Sequence, residues 1–498
     1  MSRHRRVSPF TPDEAVQRPT LEDPVVAEAS ELIGGPVGAR ALPHRWWTPV
    51  RIVVAVACAT FMLGMLQKTP CVSKDWNVSD EQRYGAMCYS DVPYLYAGRG
   101  FAERVLPFTD TDGRYRALEY PVLIGYFAYG SALVTHFLED WPDLAERQSF
   151  PKDEVYRAPG VDREKAVFFI VTTLLLALFA LGAAFFFAKA NRGRPWDVLA
   201  YAASPALLVA GLINWDYLAL FFLAAALYAW SRGRSLLSGI LIGLGTATKL
   251  YPLFLLGALL IVCLRRRQIG SFAAAVVGTV GAWLVVNLPA MLTNFDEWKL
   301  FWTFNQERGA DFGSIWLVIQ QATDKPIEHA TINLVSEVFF GVLCLAVLLL
   351  GLLARRTPRI AQLAFLIVCG FLLLNKVYSP QYVMWLLPLA VLARPRWRDL
   401  VIWQAAELFY FASIWWYLGK FTEPSAAGAD DRFYWIAVVV RILAEVWFMG
   451  MVVRDILFPW NDPVRADGVT DDPLHPEPDD DHGDREDDEE RELQPAPA

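Results

Sequence analysis

The stretch "KAVFFIVTTLLLALFALGAAFFFAKANRGR", residues 165–194, decides the fold. Between Lys165 and Lys189 no side chain carries a charge, and a helix needs about 20 such residues to cross the hydrocarbon core of a bilayer. The run ends in "KANRGR", and basic loops mark the cytoplasmic side. Working outward, apolar runs recur at 49–66, 119–138, 197–213, 216–231, 235–248, 249–264, 270–291, 333–354, 360–375, 379–393, 399–418 and 433–454. With 55% hydrophobic and 14% aromatic residues, the chain carries more apolar surface than a soluble domain needs. The reading is an all-α, polytopic helical membrane protein of about 12–13 transmembrane segments.

The net charge of -8 hides an asymmetry. Residues 461–498 hold fifteen Asp or Glu against three Arg, so the remainder of the chain is net basic. Such an acidic block has too little apolar surface to fold alone, and residues 457–498 are expected to form a disordered cytoplasmic tail. Residues 1–46, polar and Pro-rich with "SRHRR" near the start, are expected to be a mostly disordered cytoplasmic tail as well. No small-residue cleavage site follows a short apolar core there, so the first span reads as an uncleaved anchor. Residues 47–456 form the membrane domain of a multi-pass plasma-membrane protein.

Basic residues sort the loops. "KANRGR", "SRGR" (231–234), "RRR" (265–267), "RRTPR" (355–359) and "RPRWR" (394–398) fall on one face, cytoplasmic by the positive-inside rule. The opposite face then receives a first extracytoplasmic loop at 67–118, the "NWD" turn at 214–216, "TKLYP" at 248–252, a second large loop at 292–332, "NKVYSPQY" at 375–382 and the loop 419–432. One run breaks this alternation. A simple span at 119–138 would put 139–164 on the cytoplasmic side and "NRGR" outside, so either that segment is re-entrant or broken, or a later span is misplaced.

In the first loop, "SDVPYLYAGRGFAERVL" carries Val92, Leu95, Tyr96 and Arg99 at i, i+3, i+4 and i+7, the spacing of an amphipathic helix at the interface. Ser90 or Asp91 would stand at its N-terminus, where an aspartate has a purely structural role as a cap. Cys71 and Cys88, both in this loop, can pair if it faces an oxidising compartment. Polar groups border several spans on the same face: Glu119 and Tyr120 in "LEYP", Asn214 and Asp216 in "NWDY", Lys249 and Tyr251 in "KLYP", and Lys376, Tyr378 and Gln381 in "NKVYSPQY". Ionisable residues at such positions are costly unless they line a cavity, although snorkelling accounts for a lysine at a helix end.

The order of "SDVPYLYAGRG", "LEYP", "GLGTATKLYPLFLL" and "KVYSPQYVMWLLPL" resembles the actinobacterial polyprenyl-phosphate-mannose-dependent mannosyltransferases, glycosyltransferase family 87, with the membrane-embedded GT-C fold. The resemblance covers about 47–456. It is that of a divergent branch, with "EYPV" where family members often have "TYPP" and "SPQYVMW" where they have a His-bearing segment. It implies a polyprenyl-phosphate sugar donor, a glycolipid or cell-envelope glycan acceptor, and an inverting transfer on the extracytoplasmic face. A carboxylate would take the acceptor proton. By its place after the first span Asp91 is the implied base, with Asp216 and Glu119 as alternatives. Lys249, Lys376, Arg99 and Arg308 are candidates for the donor phosphate. Tyr120, Tyr251, Tyr378, Gln381, Asn214, Asp216 and Glu119 are candidate substrate contacts. So are Asn305 and Gln306 in "FNQERGADFGSIW" (304–316), since planar amides suit sugar hydroxyls.

No cofactor and no metal site are expected, because His136 and His329 are the only histidines of the membrane domain and no spaced His/Cys cluster appears. Nucleic-acid motifs are also absent. A transporter or flippase of a lipid-linked sugar is the competing reading; it would favour repeat symmetry and ionisable groups near the midplane, neither of which the sequence displays.

Overall fold

The computed structural model describes residues 46–109, 113–115, 118–420, 431–468 and 470–476, together with Val25 and Glu28. Of the tails expected at 1–46 and 457–498, residues 1–45 other than Val25 and Glu28, and residues 477–498, lie outside the described residues. Among those described, all regular structure is helical. The helices used below are α1 (Pro49–Val72), α2 (Val92–Gly98), α3 (Val122–Leu138), α4 (Val161–Ala190) and α5 (Asp216–Ser231). They continue as α6 (Ser235–Thr246), α7 (Leu255–Arg266), α8 (Ile269–Thr293), α9 (Phe295–Glu307) and α10 (Ile315–Thr323). The last are α11 (His329–Leu353), α12 (Ile360–Leu373), α13 (Val383–Ala393), α14 (Trp397–Leu418) and α15 (Arg432–Leu457).

Helices α1, α4, α8, α11 and α15 are long and apolar enough to cross a membrane. The shorter α5, α12 and α13 are apolar all round and almost completely buried, so they form the centre of the bundle. Most of α8 and α11 is instead unburied within the protein, as expected of helices that meet lipid. The run at 197–213 is broken at Ala203, where Ser204 caps a new helix with Pro205 in its first turn. Small residues set the closest packing. A Cβ on Gly239 of α6 would lie 2.0 Å from the Ala275 carbonyl oxygen of α8, so this backbone approach excludes every other residue.

The conflict at 119–138 resolves as follows. Before α3, Tyr120 hydrogen-bonds Asp91 and the Leu123 amide donates to the Ala247 carbonyl. At its other end, His136 Nε2 lies 2.8 Å from the Phe101 carbonyl. Both ends therefore meet the face that carries the first loop. The segment after α3 also packs on that loop: Arg104 donates to the Pro142 carbonyl, Arg147 to the Ala102 carbonyl, and Arg114 to the Phe150 carbonyl. Helix α3 thus begins and ends at the first loop and packs along α4, with Phe127 against Phe179 at 5.8 Å between ring centroids, which favours the re-entrant or broken alternative for 119–164. Single cysteines at Lys74→Cys and Lys152→Cys are thus expected to react with a membrane-impermeant maleimide from the same side; labelling from opposite sides would show that α3 crosses.

The first loop is fastened at its start. Cys71, at the end of α1, is bonded to Cys88 with Cα atoms 5.8 Å apart, which fixes the chain three residues before Asp91.

On the opposite face the acidic segment departs from expectation. Within 458–468 and 470–476 the segment is not a free tail: Asp462, Asp471 and Asp472 pack against the basic loops. Asp462, fully buried, receives Arg359 through Nε at 2.8 Å and Nη2 at 2.9 Å. Arg266 pairs with Asp471 at 2.7 Å, and Asp472 accepts the Ile360 amide at 2.8 Å. Arg394 is held by Asp399 and Asp455. Asp462 and Asp471 are paired with arginines and Asp472 with a backbone amide, an arrangement that composition alone cannot reveal.

Candidate active site

Helix α2 begins at Val92, with Asp91 in the capping position, yet the Asp91 side chain makes no capping hydrogen bond. Its backbone amide is instead tied to the Ile213 carbonyl at 2.8 Å, and the Ser90 hydroxyl donates to the same carbonyl at 3.1 Å. The carboxylate is thereby turned away from the helix. Oδ1 accepts the Tyr89 hydroxyl at 2.8 Å; Oδ2 accepts Asn214 Nδ2 at 2.8 Å and the Tyr120 hydroxyl at 3.3 Å. Asn214 Nδ2 also reaches the Tyr120 oxygen at 2.7 Å, so three distant segments converge on one carboxylate.

Burial raises the Asp91 pKa above the usual aspartate value, against the opposing pull of the Tyr89 and Asn214 hydrogen bonds, the Lys249 charge and the Tyr120 hydrogen bond. The Tyr89 and Tyr120 hydroxyls are pushed upward, first by burial and then by the Asp91 charge, and so stay protonated as donors. Removing one of these donors should weaken the site moderately. Asn214→Ala is expected to lower turnover about tenfold, the value of one hydrogen bond to a charged group, with little change in thermal stability.

Asp91 opens onto a cavity of about 720 Å³. Ten of the residues singled out from the sequence line it: Asp91, Glu119, Tyr120, Asn214, Lys249, Asn305, Gln306, Arg308, Lys376 and Gln381. Its polar end lies between the first loop and the turns at 214 and 249. Its other walls are apolar and aromatic, with Phe340 of α11 and Phe371 of α12 meeting at 5.5 Å between ring centroids. Gln381 lines the cavity, and its Oε1 is buried without a hydrogen-bond partner among the described residues.

The cations differ in how committed they are. Lys376 Nζ donates to the carbonyls of Asn305 at 2.6 Å and Gln306 at 3.3 Å and to Asn333 Oδ1, which satisfies its three protons. Its pKa is lowered by burial first and then by the Arg308 charge. Arg308 is paired with Asp311 at 2.5 Å. Arg99 is not on the cavity; it is held by Glu119 at 2.5 Å and faces a neighbouring one. Lys249 stands apart. Its ammonium is 4.9 Å from the centre of the Tyr120 ring and 3.6 Å from Asp216 Oδ1, with no hydrogen-bond acceptor among the described residues. Among the cations lining the cavity in the described residues, Lys249 is ion-paired with Asp216 but makes no side-chain hydrogen bond, so its donors can turn to a ligand.

Three further candidates sit behind the wall. Asp216 is fully buried, with Oδ1 accepting the Trp385 indole at 2.7 Å. Tyr251 stacks on Trp385 at 4.7 Å, and Tyr382 stacks on the same indole at 4.1 Å. Tyr378 is buried with its hydroxyl on Glu407 at 3.0 Å and the Arg441 guanidinium 3.5 Å over its ring. It works as a support. The Tyr378 amide donates to the Phe312 carbonyl and the Asp311 amide to the Lys376 carbonyl, each at 2.8 Å, joining 311–312 to 376–378. Arg441 and Tyr434 grip Gly313 at 3.0 and 2.7 Å. Gly313 has φ +76, and a Cβ there would lie 2.3 Å from the Tyr378 carbonyl oxygen, so only glycine fits.

The residues missed in the sequence are Tyr89, Asn333, Tyr382 and Trp385. Tyr89, two residues before Asp91, and Tyr382 and Trp385, in the same Ser-Pro segment as Gln381, stand in stretches that already drew notice. Asn333 opens an apolar helix and gives no local signal. Among the described residues no cluster of His, Cys, Asp or Glu suits a metal ion.

Residues 163–380 match glycosyltransferase family 87. The match includes Asn214, Lys249, Arg308 and Lys376, and begins after Asp91. No curated protein matches the chain.

Proposed function

We propose, from the match of residues 163–380 to glycosyltransferase family 87, an inverting transferase that moves a sugar, mannose first among the candidates, from a polyprenyl-phosphate donor to a glycolipid or cell-envelope glycan. The single observation that carries the reading is the Asp91 carboxylate, uncapped and directed into the cavity, with the Lys249 ammonium, which makes no side-chain hydrogen bond, beside Tyr120.

In this reading the acceptor hydroxyl lies at Asp91. Its oxygen bonds to the anomeric carbon from the face opposite the leaving group while its proton passes to the carboxylate. The bond from the anomeric carbon to the phosphate oxygen breaks, and the polyprenyl phosphate leaves with the electron pair. A phosphate needs no proton to depart, only charge stabilisation, which Lys249 supplies with Arg308 and Lys376 acting at longer range. The phenyl rings of α11 and α12 offer the isoprenoid chain an apolar wall. In this reading, and by the positive-inside rule, the site faces the extracytoplasmic side of a plasma membrane and both termini are cytoplasmic.

The test is transfer of label from radiolabelled polyprenyl-phosphate mannose into a membrane-lipid extract by the purified protein in nanodiscs. A new labelled glycolipid is expected. No transfer from that donor or its arabinofuranose counterpart would favour movement of a lipid-linked sugar across the bilayer.

A further inference from the structure

Lys68 stands one turn before the end of α1, where a lysine ordinarily stretches along its helix to reach water. Here it does the reverse: the side chain turns inward and is 0% exposed. A buried ammonium is costly unless acceptors or a counter-charge meet it. Among the described residues one acceptor does, the Tyr89 carbonyl at 2.8 Å, and no carboxylate lies within ion-pair distance.

That hydrogen bond does not by itself call for a lysine. The end of α1 grips three consecutive residues of the first loop: Gln67 Nε2 donates to the Met87 carbonyl, Cys71 is bonded to Cys88, and Lys68 holds Tyr89. Two of these ties remain without Lys68, and one of them is covalent. What they cannot supply is charge. The Tyr89 hydroxyl donates to Asp91 Oδ1 at 2.8 Å, so the residue that Lys68 holds by its carbonyl holds the Asp91 carboxylate by its ring. Among the described residues, Asp91 is also the charge that acts on the Lys68 ammonium.

The charges around the base show what a second lysine adds. Lys249 is ion-paired with Asp216 at 3.6 Å and acts on Asp91 as well, so one cation is shared by two carboxylates. The other side chains that contact Asp91 or feel its charge, Tyr84, Tyr89, Tyr120, Tyr382 and Asn214, are uncharged at neutral pH. On the cavity wall Glu119 and Arg308 are neutralised by Arg99 and Asp311, and Lys376 is turned to Asn305, Gln306 and Asn333. Counting Lys68 brings two cations to two carboxylates. In the glycosyltransferase reading Lys249 turns to the leaving phosphate, and Asp91 then needs another cation to stay ionised.

We propose that Lys68 is a positioning residue for the base: its buried charge keeps the Asp91 carboxylate ionised while Lys249 serves the leaving phosphate. This division of labour rests on the glycosyltransferase reading.

The experiment compares wild type with Lys68→Gln, Lys68→Met and Lys68→Arg, each as the full chain in nanodiscs. It reads the pH profile of kcat and the infrared titration of the Asp91 carboxyl, assigned as the band lost in Asp91→Asn. Lys68→Gln keeps a donor for the Tyr89 carbonyl but no charge, and Lys68→Met keeps neither. Without the cation the carboxylate binds its proton more tightly, so in both variants the acid limb of kcat and the infrared midpoint should move up by about one pH unit. Activity should return on the alkaline side, where Asp91 is ionised without help. Lys68→Arg keeps the charge and should keep both midpoints. Either neutral variant decides the matter if the other does not fold. A loss of kcat equal at every pH with an unmoved carboxyl midpoint overturns the proposal, since Lys68 would then only hold Tyr89. An unchanged profile in a folded neutral variant overturns it too. Failure of the glycosyltransferase reading looks different: wild type transfers no sugar, yet the carboxyl midpoint still moves in Lys68→Gln.

Discussion

Asp91→Asn is expected to lower kcat about a thousand-fold, equivalent to about 4 kcal/mol, while leaving the fold intact. The amide is isosteric and keeps an oxygen for Asn214, and the Tyr89 hydroxyl can turn to accept where it had donated. What is lost is the capacity to take a proton. The pH profile of the wild type should carry the same signature. Because burial raises the Asp91 pKa above the ordinary 3.8, activity falls on acidification with a midpoint above that value. Stability runs the other way. A folded-state pKa above the unfolded one means that the folded protein holds the proton longer, so the contribution of Asp91 to stability is present at low pH and is lost as pH rises through the folded pKa. At neutral pH the variant should therefore melt no lower than wild type in a thermal scan. Retained turnover in a folded Asp91→Asn protein would return this residue to a structural role.

Lys249→Met is expected to cost between about a hundred- and a thousand-fold in kcat, the range for removing one preorganised charge from a developing anion. This variant also strands Asp216, whose nearest cation is Lys249 and whose Oδ2 has no hydrogen-bond partner among the described residues. An unpaired buried carboxylate destabilises the fold, so the single variant mixes two effects. Adding Asp216→Asn removes the stranded charge. The double variant should regain thermal stability and remain inactive, whereas Lys249→Arg should recover part of the rate. Recovery of turnover by Asp216→Asn alone would mean that Lys249 acts only as the counter-ion of Asp216. The measurement is transfer of label in nanodiscs with a melting scan of each variant.

The helices were legible because length and apolarity act locally: the run at 165–189 has one stable solution in a bilayer, and α4 adopts it. Helix α3 was not, since its apolar residues fit a crossing span nearly as well as a re-entrant or broken segment. Only tertiary hydrogen bonds at its two ends, Tyr120 to Asp91 and His136 to Phe101, bear on the choice. The site divides in the same way. Asn214, Lys249 and Gln381 stand at the ends of apolar runs, where polarity is expensive and so visible, whereas Asp91 lies within the first loop and was singled out by the resemblance. Tyr251 and Tyr378 carry the same signal but turn inward, because the aromatic ring of each finds a stacking partner, Trp385 for one and Arg441 for the other. Residue type shows that a polar atom needs a partner and not whether that partner is protein or ligand.

The acidic clasp on the basic face has a consequence for biogenesis. Arginines in nascent loops orient hydrophobic segments as they insert, and they do so best while unneutralised. Arg359 precedes its buried partner Asp462 by 103 residues, and Arg266 precedes Asp471 by 205. Each of these arginines is thus synthesised before its acidic partner and stays without it until residues 462–471 have been made, so the order of the chain itself delays the neutralisation of the basic loops.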